Sequence, residues 1–118
     1  MELTTSINGQ VTVVTIKGDL DGNSAPRAME EIMVWVKPEC RILLEMSLVG
    51  FMSSIGLRTM LNLKRQTAGV NGEFILVGVS QEIQDTMSVT GFSDFIKVFN
   101  NLETGMAFLN QKEGYGAD

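Results

Sequence analysis

The chain has 118 residues, 44% hydrophobic and 19% charged, with twelve glycines, only two prolines and a formal net charge of −5. Such a length and composition fit a single compact domain over residues 1–118 and exclude a disordered chain. No apolar run approaches the ~18 residues a membrane-spanning helix needs. The opening Met1-Glu2-Leu3-Thr4-Thr5 lacks the basic segment and apolar core of a signal peptide, so a cytoplasmic protein without membrane insertion is expected.

Strand-like and helix-like periods alternate along the chain. Val11-Thr12-Val13-Val14-Thr15-Ile16 is dominated by β-branched residues and follows an Asn8-Gly9 turn, which predicts a hairpin of residues 3–7 and 11–17. Ala25, Met29, Ile32, Met33 and Val36 then fall at helical spacing, with Asn23 or Ser24 as N-cap and Pro38 as terminator. Ile42-Leu43-Leu44 reads as a buried strand running to about Met46. Leu57, Met60 and Leu61 mark one face of a helix that begins near Ile55 and is closed by Gly69. Phe74-Ile75-Leu76-Val77, between Gly72 and Gly78, is a third interior strand, and a helix over 80–89 follows with Ile83 and Met87 one turn apart. A short strand over 96–99 leads to a helix over 102–109, with Leu102, Met106 and Leu109 inward and Asn100 and Glu103 spaced as a capping box. Residues 111–118 are polar and contain glycine, as in a frayed tail. The expected fold is α/β: a small mixed β-sheet of about five strands, an opening hairpin then a parallel interior, packed with about four helices. The eight methionines fall where core filler is needed.

The missing residue types narrow the chemistry. There is no histidine and one cysteine, Cys40, so neither a disulfide within the chain nor a Cys/His zinc site can form. Ser-His-Asp and Cys-His catalysis also lose their imidazole, which points to a binding or switch module, not an enzyme, with no cofactor. Arg58, Lys64 and Arg65 are the only charged residues over 46–72, which makes that stretch +3 and the remainder −8. A basic footprint this small argues against nucleic acid as a partner. Asp19, Asp21, Asn23 and Glu30 imitate part of a calcium loop. Ser24, however, stands where the turn glycine belongs, Pro26 takes the apolar position, and a strand precedes the segment. The segment reads instead as a strand-to-helix loop whose side chains cap the helix, with no metal. Gly69-Val70-Asn71-Gly72 fits no phosphate-binding glycine loop and reads as a turn.

The remaining segment, Phe51-Met52-Ser53-Ser54-Ile55-Gly56-Leu57-Arg58, joins the third strand to the second helix. Serines at a helix start serve first as N-caps. A hydroxyl there is also exposed at the carboxyl end of a parallel strand, where a phosphate would meet free N–H groups and the positive end of the helix. With Gly18-Asp19-Leu20-Asp21, Leu43-Leu44-Glu45-Met46, Gly72-Glu73-Phe74, Thr90-Gly91-Phe92 and Phe95-Ile96, this segment makes nearly the whole chain resemble the STAS domain of sulphate transporters and bacterial anti-sigma factor antagonists.

In the antagonist branch the resemblance implies a partner switch. The unphosphorylated protein binds an anti-sigma factor that is also a serine kinase, of histidine-kinase-like ATPase fold, and relieves its inhibition. Phosphorylation breaks the complex, and a PP2C-type phosphatase restores it. Alignment on Gly56-Leu57 puts the acceptor at Ser54. Many members carry Asp immediately before the acceptor, whereas here Ser53 stands there and becomes a rival. The implied partner surface comprises Asp19, Asp21 and Asn23 from the first loop with Ser53, Ser54, Ile55, Gly56 and Arg58 from the second. The other roles implied by the resemblance are an unphosphorylated scaffold and a small subunit of a lipid ABC transporter.

Overall fold

A computed structural model describes residues 1–117, with side chains as far as Gln111; the side chains of the rest of the polar tail, and Asp118 altogether, lie outside the described residues. The opening hairpin pairs β1 (Glu2–Asn8) with β2 (Val11–Lys17). Its two-residue loop is Gly9-Gln10, one position later than the expected Asn8-Gly9, because Asn8 still pairs with Val11 and Gly9 supplies the positive φ of 64° at the first loop position. There follow α1 (Ala25–Met33), β3 (Arg41–Leu48), α2 (Ser54–Ala68), β4 (Glu73–Val77), α3 (Gln81–Val89), β5 (Lys97–Phe99) and α4 (Leu102–Ala117). The sheet order is β1-β2-β3-β4-β5; β1 runs antiparallel to β2 and the other pairs are parallel.

Spatial order equal to chain order decides where the helices lie. Successive right-handed crossovers that always advance in one direction put their helices on one face. Ile32 of α1, Leu57, Met60 and Leu63 of α2, and Ile83 and Met87 of α3 accordingly share one core with Val14, Ile16, Ile42, Leu44, Phe74 and Leu76. Alternate strand residues Val11, Val13, Leu43, Ile75 and Val77 point to the other face, which α4 covers with Leu109 and Met106. Gly105 permits that approach: a Cβ there would come within 2.5 Å of Val77 Cγ1. Strands buried on both faces explain the unbroken apolar runs at 42–44 and 74–77. Among the described residues, no helix is long and apolar enough to cross a membrane.

Element ends differ from the expected ones for local reasons. α1 stops at Met33, well before Pro38, as Trp35 and Val36 donate to the carbonyls of Ile32 and Met33 in tight turns that swing the chain back toward β3. The N-terminal cap of α4 sits one residue later than expected. Asn101 Oδ1 accepts from the Thr104 N–H at 2.9 Å and Thr104 Oγ1 accepts from the Asn101 N–H at 3.3 Å, so Asn101 and Thr104 replace Asn100 and Glu103. Leu102, expected inward, is 41% exposed. Helix-forming residues 111–113 carry α4 beyond Leu109. A one-turn 3₁₀ helix, Phe92–Asp94, fills what the sequence left as a connection.

Candidate functional site

The carboxyl ends of β2 and β3 are held together by a short zipper. Gly18 N–H donates to Leu48 O at 3.0 Å, Leu20 N–H to Phe51 O at 3.0 Å, and Ser53 N–H to Leu20 O at 2.9 Å, with a parallel bridge between Leu20 and Met52. Leu20, fully buried, anchors the zipper from below. Its two loops therefore lie side by side, and Ile55 comes against Gly22, where a Cβ would stand 3.4 Å from Ile55 Cδ1. Gly56 is the tightest point, since a Cβ there would be 2.6 Å from Leu20 O and 2.7 Å from Met52 Cγ. Gly56, expected on the partner surface, is thus buried, and it acts by letting the first turn of α2 lie flat on the first loop.

The two serines have different situations. Ser53 is the N-cap of α2, with extended backbone (φ −76°, ψ 174°), and its Oγ accepts from the Gly56 N–H at 3.2 Å. Ser54, the first residue of the helix, is exposed, and its hydroxyl makes no hydrogen bond among the described residues. No acidic residue occupies the first turn of α2, so nothing there offsets the positive end of the helix dipole. Arg58, four residues on, lies exposed on the same side of the helix.

In the first loop, Asp19 and Asn23 are exposed and Asp21 is half-buried. The Asp21 carboxylate, expected on the partner surface, is held by its own loop. Its Oδ1 accepts from the Asn23 N–H at 2.9 Å and the Ser24 N–H at 3.1 Å; Ser24 is the N-cap residue of α1, one of the two expected, but its side chain makes no capping bond to the helix. The Ser24 hydroxyl in turn donates to Asp19 O at 2.7 Å. Those backbone donors, Asn23 first and then Ser24, lower the Asp21 pKa from its ordinary 3.8. A lowered folded-state pKa adds stability above the unfolded value that is lost as pH falls through the folded one. Asp21→Asn should therefore melt below the wild type at neutral pH, and the gap should close on acidification below 3.8, as followed by circular dichroism. A gap independent of pH would show that the charge contributes nothing. Asp19, Asp21 and Glu30 do not converge: among the described residues, no three His, Cys, Asp or Glu side chains gather as metal ligands.

The segment that carries Ser54 also exposes Phe51 at 54% and Ile55 at 47%, of which only Ile55 was among the expected partner-surface residues; Leu48, at the end of β3, is 54% exposed. Leu48 owes its position to an irregularity in β3. Thr15 pairs with Glu45 but Lys17 pairs with Leu48, so β3 holds one extra residue and bends just before the loop. The strand order has no reversal, so no crevice opens at this end of the sheet. Cavities of about 330 and 300 Å3 lie elsewhere, beside β5 (Met87, Ile96, Val98, Phe99) and at the start of β3 and β4 (Glu39, Cys40, Arg41, Glu73). The site is an exposed hydroxyl in a segment that also exposes Phe51 and Ile55, with no cavity lined by these residues among those described, which suits a macromolecular partner better than a small ligand.

Comparison with known proteins agrees with this architecture. BtrV of Bordetella bronchiseptica, provisionally named an anti-sigma factor antagonist, is 26% identical over 108 residues, 91% of this chain and 93% of that protein. The anti-sigma-B factor antagonist of Listeria monocytogenes is 26% identical over 88 residues, 74% of this chain and 77% of that protein. The crystal structure of an anti-sigma factor antagonist from Mycobacterium paratuberculosis superposes with a TM-score of 0.81 at 20% identity, covering 92% of this chain and 93% of the other. The sequence pattern of the STAS domain matches residues 2–105, and the chain belongs to the STAS domain family.

Proposed function

We propose that this chain is an anti-sigma factor antagonist that works by phosphorylation-controlled partner switching. In its unphosphorylated form it binds an anti-sigma factor that is also a serine kinase of histidine-kinase-like ATPase fold, and so relieves that factor's inhibition. Phosphorylation of Ser54 ends the complex, and a PP2C-type phosphatase reverses it. The relatives named as anti-sigma factor antagonists support the partner class. The observation that carries the switch is the position of Ser54, an exposed, unbonded hydroxyl at the first turn of α2 in the same segment as the exposed Phe51 and Ile55.

A phosphate on Ser54 would add about −1.5 to −2 charges next to the exposed Ile55, on a surface that a partner must desolvate. The free N–H groups at the start of α2 would hold that phosphate in place, so the switch needs no refolding. Ser53 is the poorer acceptor, because its hydroxyl is half-buried and occupied as the helix cap. Incubation with the cognate kinase and ATP should give one phosphate, mapped by mass spectrometry to Ser54, and Ser54→Ala should abolish it. Loss of the phosphate in Ser53→Ala but not in Ser54→Ala would move the acceptor. No effect of either variant on modification or binding would remove the switch and leave a scaffold or transporter-subunit role.

A further inference from the structure

Among the described residues, nothing pairs with the outer edge of β1. The strand has seven residues, six of them exposed, and pairs with β2 through an unbroken register. Natural edge strands are protected by proline, lysine, bulges or shortness. β1 has no proline, no basic residue and no bulge, and its one charge, Glu2, lies at its end. The opposite edge, β5, is protected: it has three residues, and Lys97 on it lies over the Phe108 ring at 4.7 Å.

We infer that two copies of this chain join through β1, antiparallel about a two-fold axis at Thr5, into one continuous ten-stranded sheet. The β1 sequence is complementary to itself in this register. Leu3 faces Ile7 of the second copy, and Ile7 faces its Leu3, so that the 58%-exposed Ile7 gains an apolar neighbour. Thr4 meets Ser6, Thr5 meets Thr5, and Glu2 meets Asn8, with no like charges opposed. A shift by two residues either way sets one of the two apolar residues against threonine and leaves the other beyond the paired segment. A single strand pair lies at the small end of protein interfaces, so the dissociation constant should be about 1–100 μM. Antiparallel pairing leaves both Ser54 surfaces open, at opposite ends of the assembly, and makes the protein bivalent. The inference does not depend on phosphorylation.

Sedimentation equilibrium of the full chain tests it. The wild-type average mass should rise from monomer towards dimer between about 1 μM and 1 mM. Thr5→Lys and Thr5→Glu each set like charges opposite one another across the axis, and each should remain monomeric with its circular dichroism spectrum unchanged. Mixing the two should restore a dimer, a result that misfolded variants could not give. A wild type that stays monomeric, a Thr5→Lys protein that still dimerises, or a mixture that does not reassociate would overturn the inference. So would masses growing past the dimer, which would indicate joining of β1 to β5.

Discussion

Gly56→Ala is expected to destabilise the protein by about 2–3 kcal/mol, because the added methyl meets the Leu20 carbonyl at 2.6 Å and Met52 Cγ at 2.7 Å. A flexible side-chain end could yield; the carbonyl cannot, since it accepts the Ser53 N–H in the zipper between the two loops. The first turn of α2 must lift from the first loop, which displaces Ser54 relative to Asp19 and Asn23. For a domain of this size the melting temperature should fall by roughly 8–15 °C, read by circular dichroism. Gly50→Ala is the matched control. Its nearest contact would be Asp19 Oδ1 at 3.8 Å, and its melting temperature should stay close to wild type. Equal behaviour of the two variants would show that the loops do not need their close approach.

The second large effect is on binding. Stoichiometric phosphate at Ser54 should weaken the partner complex by about 100-fold or more, as expected for a doubly charged group forced into a desolvated contact. Ser54→Asp should weaken it less, since a carboxylate has one charge and two oxygens. Ser54→Ala should bind nearly as well as the wild type, as a small hydroxyl on an apolar surface contributes little. Phe51→Ala gives an independent reading of the same surface: removal of an exposed aromatic at the centre of an interface should cost about 2 kcal/mol, roughly 30-fold. If Phe51→Ala binds normally, the apolar patch is not the contact.

The sheet was legible from the sequence because its signals are strong and local. β-branched runs at 11–16 and doubly apolar runs at 42–44 and 74–77 have no good helical reading, and the 3.6-residue spacing of Ile83 and Met87 has no good strand reading. Caps were less legible. Asn100 and Asn101 both offer an amide, and only the reach of the Thr104 hydroxyl back to the Asn101 N–H decides between them. The place of Ser54 at the start of α2 was legible in the sequence, but the exposure of Phe51 and Ile55 in the same segment was not. That exposure depends on the zipper through Leu20, which fixes the loop of Phe51 beside the first loop. Asp21 shows another limit: the resemblance put it on a partner surface, and its capping of its own loop through Oδ1 was not legible beforehand.

The most direct measurement is calorimetric titration of the anti-sigma factor kinase with two preparations of this chain, one unphosphorylated and one fully phosphorylated at Ser54. The account predicts a saturable complex with the first and an affinity lower by about 100-fold or more with the second, restored after treatment with a PP2C-type phosphatase. Equal affinities for the two preparations would contradict it.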